Sequence, residues 1–253
     1  MRIAHISDSH IIEPNVDKIG YERLLNLEKC IIDINSLSPP PDLVIHTGDI
    51  THNGKKKEFE LAYKILKKIK YPFYLTPGNK DKSNNFISFM NANNLINIVG
   101  SYAIYSVNLF PIQFISFDTV DCESKMGLIN KEKLLLLKKE LEKNPNKPTI
   151  IFMHHPPFKF NIGNKNYNEF TTNDAIFNLK TLLLKFPLIY KIISGHIHRN
   201  HESKINNTEC NTVPSIALDL RYGDYSNRLV KMVTYSIYSM DNNYNFKIIN
   251  RWI

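Results

Sequence analysis

Cysteine is scarce in this sequence. The 253 residues include three cysteines, Cys30, Cys122 and Cys210, which are odd in number and far apart. This distribution indicates neither a disulfide framework nor a thiolate zinc site. It favours a reducing compartment, and we expect a cytoplasmic protein.

Long apolar runs are also missing. None approaches the roughly 20 residues that a helix needs to span a bilayer, so we expect no integral membrane segment. No basic region followed by an apolar stretch precedes the first predicted strand, which begins at Arg2. We therefore expect no secretory signal.

Linkers, repeats and low-complexity segments do not divide the chain, and 43% of its residues are hydrophobic. A chain of this length and composition can bury a sizeable core, so we expect a single domain over residues 1–253. The formal net charge of +8 fits a polyanionic partner, but the lysines are scattered along predicted helices. A nucleic acid partner therefore stays open but is not favoured over a solvated basic surface.

Apolar periodicity predicts an α/β fold. Leu24, Leu27 and Ile31 recur at the spacing of one helix face, and strands alternate with helices from residue 2 to residue 76. Asn130 and Asn173 are expected N-caps of two later helices. After about residue 212 the chain is β-rich, and we expect these late strands to form a second sheet. Two sheets packed face to face, with helices outside, would accommodate both halves.

Five predicted strands end in polar residues that can bind metal ions. They supply Asp8, His10, Asp49, Asn79, His154, His196 and His198. Ligands of open α/β sheets bind beyond the carboxyl ends of the strands, and the Asp-x-His and His-x-His spacings place both side chains on one side of an extended segment. Oxygen and imidazole donors without thiolate favour Mn, Fe or Zn. Seven ligands suit two ions that share one carboxylate, for which Asp49 is the candidate, and such pairs catalyse in-line phosphoryl displacement.

These strand ends belong to motifs that resemble those of the calcineurin-like metallophosphoesterase superfamily. In order, they are Asp8-Ser9-His10, Gly48-Asp49, Gly78-Asn79-Lys80-Asp81, His154-His155-Pro156-Pro157 and Gly195-His196-Ile197-His198. The resemblance covers residues 1 to about 200. The His-His-Pro-Pro motif, Met126-Gly127-Leu128 and Pro214-Ser215 look most like the class III cyclic-nucleotide phosphodiesterase branch.

The resemblance implies a four-layer α/β/β/α sandwich of two mixed sheets with two divalent metal ions. It implies one ion at Asp8, His10, Asp49 and His198, and the other at Asp49, Asn79, His154 and His196, with His155 as second choice in its pair. The implied activity is a dinuclear metal-dependent phosphoesterase that hydrolyses a phosphodiester of the cyclic-nucleotide type. A metal-bridging hydroxide would attack a small, nucleotide-like phosphorylated substrate. The expected catalytic residues are Asp49, Asn79, Lys80 and Asp81.

Lys80 departs from the superfamily pattern, whose third motif usually reads Gly-Asn-His-Asp. Members related to the UDP-diacylglucosamine hydrolases have a basic Arg at this position and cleave a pyrophosphate bond. A pyrophosphatase acting on a nucleotide-linked or lipid-linked diphosphate is therefore an alternative, and a non-catalytic metal-binding interaction module is another. Whether Lys80 is a general acid, a static cation or inert stays open.

Two segments are expected to determine the substrate specificity. Residues 156–172 have no periodicity but carry several aromatic side chains, and they form either a substrate lid or simple packing over the sheet edge. The other segment is the turn at residues 219–224. His5 and His46 lack ligand spacing and are expected to be buried, whereas His52 either contacts substrate or lies in a solvated loop.

Overall fold

The computed structural model describes residues 1–14, 18–109, 111–162, 165–167, 169–172 and 174–253. The helices are α1 (Lys18–Ser36), α2 (Lys56–Leu66), α3 (Ser83–Ala92), α4 (Lys131–Glu142) and α5 (Asp174–Leu183). The strands are β1 (Arg2–Ile6), β2 (Leu43–His46), β3 (Phe73–Leu75), β4 (Tyr105–Val107), β5 (Gln113–Ser116), β6 (Thr149–Phe152), β7 (Phe160–Ile162), β8 (Lys165–Tyr167), β9 (Ile189–Ser194), β10 (His201–Ile205), β11 (Thr208–Thr212), β12 (Thr234–Met240) and β13 (Phe246–Trp252). Short 3₁₀ helices cover Leu218–Leu220 and Leu229–Lys231.

Two mixed sheets form the centre of the protein. The first has the order β13-β12-β1-β2-β3, and the second has the order β10-β11-β9-β6-β5-β4. In the first, β1, β2 and β3 are parallel, and in the second β5, β6, β9 and β11 are parallel. β7 and β8 form a separate antiparallel hairpin. Because parallel strands of one sheet end on the same edge, the polar strand ends of each sheet are brought side by side.

Apolar faces hold the layers together, and the expected four-layer sandwich is confirmed. Leu27 and Ile31 of α1 and Phe59 of α2 are buried in a core that also includes residues of both sheets. Leu137 of α4 and Leu179 of α5 pack in a second core against the other sheet. Each helix buries one stripe and exposes the opposite one, as the apolar spacing predicts.

The late strands were assigned to the wrong sheet by the sequence pattern. β12 and β13 extend the first sheet, where β12 pairs antiparallel with β1 and Ala4 lies opposite Ile237. The second sheet is built from strands in the middle of the chain. The physical reason is that β2 covers one edge of β1 and leaves the other edge open for pairing. Periodicity identifies a strand, but not the edge that it joins.

The two expected helix caps have different outcomes. The side chain of Asn130 accepts a hydrogen bond from the backbone N–H of Lys133 at 2.9 Å, which confirms it as the N-cap of α4. Asn173 lies outside the described residues. In the described ranges, no helix combines the length and the apolar character that crossing a membrane requires.

His5 and His46 are buried, as predicted. Nε2 of His5 lies 2.8 Å from Oγ1 of Thr47, and its Nδ1 lies 3.3 Å from the hydroxyl of Tyr238. Burial, followed by the charge of neighbouring His46, lowers the pKa of His5 to about 3. In the unfolded chain the pKa of a histidine returns to about 6.5. As the pH falls below about 6.5, His5 is therefore protonated in the unfolded chain but stays neutral in the folded protein. This difference lowers the free energy of unfolding as the pH falls.

This histidine gives a prediction for acid stability. At pH 7, His5→Gln should lower the free energy of unfolding by roughly 1 to 3 kcal/mol, because buried hydrogen bonds are disturbed. Between pH 6 and pH 4 the difference in unfolding free energy between the two proteins should then change in favour of the variant by about 1.4 kcal/mol per pH unit, closing or reversing the gap. Urea unfolding of the metal-stripped proteins at several pH values measures the gap. A gap that does not change with pH would contradict a buried neutral His5.

Candidate metal centre

Four buried side chains from the ends of β1, β2 and β9 form the first ligand cluster. Nε2 of His198 lies 3.2 Å from Oδ1 of Asp8 and 3.2 Å from Nε2 of His10. Nε2 of His10 also lies 3.5 Å from Oδ2 of Asp49. One donor atom from each of the four lies within 4.8 Å of the others. The structure thus brings together the residues that the sequence predicts for one ion.

The second cluster lies beside the first, at the ends of β3, β6 and β9. Oδ1 of Asn79 lies 3.1 Å from Nε2 of His154 and 3.1 Å from Nδ1 of His196. The two imidazole nitrogens are 3.2 Å apart. Oδ1 of Asp49 lies 3.5 Å from Nε2 of His154. Asp49 therefore directs one oxygen to each cluster, which is the geometry of a bridging carboxylate.

His155 is close enough to belong to the second cluster, since donor atoms of His154, His155 and His196 lie within 4.8 Å of one another. Both ring nitrogens of His155 nevertheless lie close to other polar atoms of the protein. Nδ1 lies 2.9 Å from Oγ1 of Thr119, and Nε2 lies 3.3 Å from the carbonyl oxygen of Lys125. We therefore favour His154 as the ligand of this pair, with His155 packed behind it.

The ligand residues have an unusual backbone conformation. Asp8, His10, Asp49, His196 and His198 have φ angles of 55°, 45°, 52°, 69° and 54°. A non-glycine residue in this left-handed region costs about 1 to 2 kcal/mol, and such residues concentrate at functional sites. Here hydrogen bonds between the loops hold them. The N–H of Asp8 donates to the carbonyl of Gly48 at 3.0 Å, and the N–H of His10 donates to that of Asp49 at 2.9 Å.

Two buried carboxylates face the same space. Burial, followed by the nearby charge of Asp8, raises the pKa of Asp49 to about 7. Burial opposes ionisation of Asp8 as well, but His198 holds its pKa below the usual range. Oδ1 of Asp8 is buried and has no hydrogen-bond donor among the described residues. Carboxylate oxygens, an amide oxygen and imidazole nitrogens that converge on one space fit divalent cations.

The outer ring nitrogens of three histidines point to acceptors. Nδ1 of His154 lies 2.7 Å from the carbonyl oxygen of Thr47, and Nδ1 of His198 lies 2.6 Å from that of Leu220. Nε2 of His196 lies 2.6 Å from Oε2 of Glu169. A donor bond on one ring nitrogen leaves the other nitrogen unprotonated and able to bind a metal ion. In each of these three histidines, the nitrogen that faces the cluster is therefore the one available to bind a metal ion.

Arg23 of α1 supports the first cluster from behind, and sequence reasoning missed it. The buried guanidinium donates to the carbonyl oxygen of His10 at 3.0 Å and to both carboxylate oxygens of Asp219 at 3.1 and 2.6 Å. Leu220, the next residue, accepts the bond from His198. The turn at residues 219–224, which was expected to determine substrate specificity, therefore begins with Asp219, a residue that holds the first cluster in place through Arg23.

Asp81, predicted as catalytic, lies beneath the site. Its buried carboxylate accepts hydrogen bonds from the backbone N–H groups of Ile50, Thr51 and Gly78 at 3.1, 2.8 and 2.9 Å. These bonds connect the loop after β2 with the loop after β3. The contacts favour a role in which Asp81 positions Asp49 and Asn79, rather than contact with substrate.

Lys80 and His52 lie at the rim of the clusters. The backbone N–H of Lys80 donates to Oδ1 of Asp49 at 2.7 Å, and its side chain is partly exposed. Within the described ranges, Nζ of Lys80 has no hydrogen-bond or ion-pair partner. His52 is half-buried, with its Nδ1 3.4 Å from Nδ1 of His10. The backbone of Lys80 and the ring of His52 thus lie next to Asp49 and His10, respectively.

A cavity of about 540 Å³ opens beside Asn79. It is lined by Asn79, Lys82, Ser83, Asn84, Asn85 and residues 120–125, among them Lys125. The lining that the structure describes contains no aromatic side chain. Amide, hydroxyl, ammonium and carboxylate groups, together with apolar side-chain surface, therefore line the space next to the second cluster.

The aromatic residues of segment 156–172 contribute to the core. Phe158, Phe160 and Phe170 are buried in the core beneath α4 and α5, and Phe170 lies against His155, with ring centroids 6.1 Å apart. Residues 163, 164 and 168 of this segment lie outside the described residues. For the described aromatics, the contacts favour packing over the alternative of a substrate lid.

Comparison with known proteins relates this arrangement to one family. Residues 1–200 match the family described as calcineurin-like phosphoesterase. A probable glycerophosphodiester phosphodiesterase, GpdQ, of Arcobacter nitrofigilis is 33% identical over 234 residues, which cover 87% of this chain and 82% of that protein. A probable cyclic nucleotide phosphodiesterase of Vesicomyosocius okutanii is 26% identical over 99% of this chain and 98% of that protein. The fold of a dimetal phosphatase from Danio rerio matches with a TM-score of 0.71 at 11% identity, covering all of this chain and 95% of that one.

Proposed function

The chain belongs to the calcineurin-like phosphoesterase family, and we propose that it hydrolyses small phosphodiesters at the two ligand clusters joined by Asp49. It is a metal-dependent phosphodiesterase, since its relatives are named phosphodiesterases, its family is one of phosphoesterases, and its Asp and His clusters could hold metal ions. The observation that carries the proposal is the position of Asp49, with Oδ2 3.5 Å from His10 and Oδ1 3.5 Å from His154.

The clusters fit two divalent ions, for which Mn, Fe and Zn suit the donor set. We propose that Asp8, His10, Asp49 and His198 hold one ion, and Asp49, Asn79, His154 and His196 the other. Ions bound there would activate water and neutralise charge on the phosphoryl oxygens. Lys80 at the rim places a further positive charge beside the same oxygens. The cavity next to Asn79 would receive the alcohol group of the substrate.

Relatives of this chain carry two substrate names, glycerophosphodiester and cyclic nucleotide. We propose that a glycerophosphodiester fits the cavity better. A nucleobase is usually bound against aromatic side chains, whereas the described lining has no aromatic side chain and offers amide groups at Asn84 and Asn85. Lys80 keeps a diphosphate substrate open as a second candidate. We disfavour a non-catalytic binding module, because a site that no longer catalyses a reaction would be expected to lose some of its ligand residues, and all seven converge here.

A substrate panel tests the proposal. We expect about two metal ions per chain and manganese-dependent hydrolysis of bis-(p-nitrophenyl) phosphate. Among natural substrates, a glycerophosphodiester should exceed a 3′,5′-cyclic nucleotide by about tenfold or more in kcat/KM, the scale of one or two well-placed polar contacts. Faster cleavage of a UDP-linked diphosphate than of either diester would favour the pyrophosphatase. Fewer than one ion per chain, with no activity above that of Asp49→Ala, would reject a metal-dependent phosphodiesterase.

We also propose that the protein works in a reducing compartment such as the cytoplasm. Cys30, Cys122 and Cys210 are all free thiols in the structure. Burial raises the pKa of Cys210 to about 12 and that of Cys30 well above its usual value. Thiols held in the protonated form are unreactive, so these two side chains act as small core residues.

A further inference from the structure

We propose that Glu169 is a positioning residue that fixes His196 for the second metal ion. The inference rests on the proposed function, because it assigns His196 as a ligand. Oε2 of Glu169 lies 2.6 Å from Nε2 of His196, and both side chains are largely shielded from water, at 14% and 16% exposure. Neither the metal motifs nor their spacing includes Glu169, which reaches the site from the segment after β8.

Glu169 differs from the acceptors that orient the other histidines. His154 and His198 bind to backbone carbonyl oxygens, which the fold of the chain supplies whatever side chains are present. The acceptor for His196 is a side chain. A carboxylate on the outer nitrogen of a metal-binding histidine fixes the ring orientation and makes the inner nitrogen a stronger donor to the metal. The ligand strength of His196 is thus encoded by one replaceable residue.

The position of Glu169 is fixed by a backbone contact with Gly127. The N–H of Gly127 donates to the carbonyl oxygen of Glu169 at 2.6 Å, and the N–H of Thr171 donates to the carbonyl oxygen of Gly127 at 2.9 Å. A Cβ at position 127 would lie 2.8 Å from both the ring of His155 and the ring of Phe170. The absence of a side chain at Gly127 therefore allows the segment to approach the site, and the carboxylate is presented from an anchored backbone.

The different negative charge of the two ligand clusters also supports a role for Glu169 beside His196. The first cluster has the carboxylates of Asp8 and Asp49, whereas the second has the shared Asp49 together with the neutral Asn79 and two histidines. A dication in the second cluster therefore has less negative charge around it. Glu169 supplies a further negative charge one imidazole ring away from that ion. In a shielded site this charge stabilises the bound cation more than it would in water.

Metal titration of the full chain tests the inference without using activity. Calorimetric titration of the chelator-stripped wild type with Mn²⁺ should show two binding events. Glu169→Leu should weaken one event by about 10- to 100-fold, the usual effect of losing such a support, and leave the other unchanged. Glu169→Gln should weaken the same event by about two- to tenfold, because its amide oxygen still accepts from Nε2 but the negative charge is lost. Should Glu169→Leu fold poorly by circular dichroism, this near-isosteric variant carries the test, and wild-type affinity for both ions in it would then overturn the inference.

Two controls separate positioning from general destabilisation. Glu140 lies on α4, is 13% exposed, and accepts a hydrogen bond from the hydroxyl of Ser106 at 2.7 Å. The Glu140→Gln substitution should leave both binding events unchanged. In a double-mutant cycle, Glu169→Leu should have no further effect in a His196→Asn background, because the contact is already lost. Unchanged binding in Glu169→Leu, equal weakening of both events, or additive effects in the cycle would each overturn the inference. A wild type that binds no ion would instead reject the proposed function.

Discussion

Asp49→Ala is expected to lower phosphodiester hydrolysis by about a thousandfold or more and to reduce the metal content from two ions towards one or none. The reason is geometric, because the same carboxylate lies 3.5 Å from a histidine of each cluster. Removal of a single transition-state donor already costs about 10²- to 10³-fold, and this change weakens two metal ions that act together. Metal analysis by mass spectrometry and kcat/KM for bis-(p-nitrophenyl) phosphate measure the two effects.

Asp49→Asn refines this experiment. Its amide oxygen can still accept the hydrogen bond that Lys80 donates to Asp49 at 2.7 Å, so the loop is retained while the negative charge is lost. Asp33→Asn is the control, since Asp33 pairs with Arg251 at 2.7 Å on the outside of the first sheet. The Asp33→Asn substitution should lower the free energy of unfolding, but the protein should still bind two metal ions. An Asp49→Ala protein with two ions and more than about a tenth of wild-type activity would refute the bridging assignment.

The ligand clusters could be predicted because their information is local. Each strand end has its polar residues within a few positions, and the rule that parallel strands end on one edge brings neighbouring ends together. This rule groups the ends of β1, β2 and β3 in the first sheet and those of β6 and β9 in the second, whereas the close approach of Asn79 to His154 joins the two sheets. The strand rule alone does not give this contact between the sheets, and the resemblance to the superfamily supplied it.

The residues that support the clusters could not be found in the same way. Arg23 and Asp219 are 196 residues apart in sequence, and Glu169 and His196 are 27 apart. No spacing rule relates such positions. The pairing of β12 with β1 is a long-range contact of the same kind, and for this reason the sheet of the late strands was misassigned. Asp81 is a related case, since its motif predicts a catalytic role, whereas its carboxylate accepts hydrogen bonds from backbone N–H groups and from the hydroxyl of Thr51.

Lys80→Ala is expected to reduce kcat/KM by about a hundredfold, the scale for loss of one transition-state donor. The backbone of Lys80 is fixed on Oδ1 of Asp49, and Nζ has no partner in the described part of the chain. The ammonium group is therefore free to contact a phosphoryl oxygen or the leaving oxygen of the substrate. Lys64→Ala is the control, because Lys64 is exposed on α2 and its loss should leave the activity unchanged.

Two further substitutions distinguish the possible roles of Lys80. If Lys80 acts as a static cation, Lys80→Arg should retain at least about a tenth of the activity, because it keeps the positive charge. If Lys80 donates a proton, Lys80→Arg should fail about as badly as Lys80→Ala, and the alkaline limb of the pH-rate profile should shift. We expect the first result, since an ammonium beside two dications and a phosphoryl group contributes most simply through its charge. A nearly silent Lys80→Ala would show that Lys80 points to solvent. In that case a gain in phosphodiesterase activity for Lys80→His would identify the site as one that lost a catalytic histidine, and no gain would exclude that history.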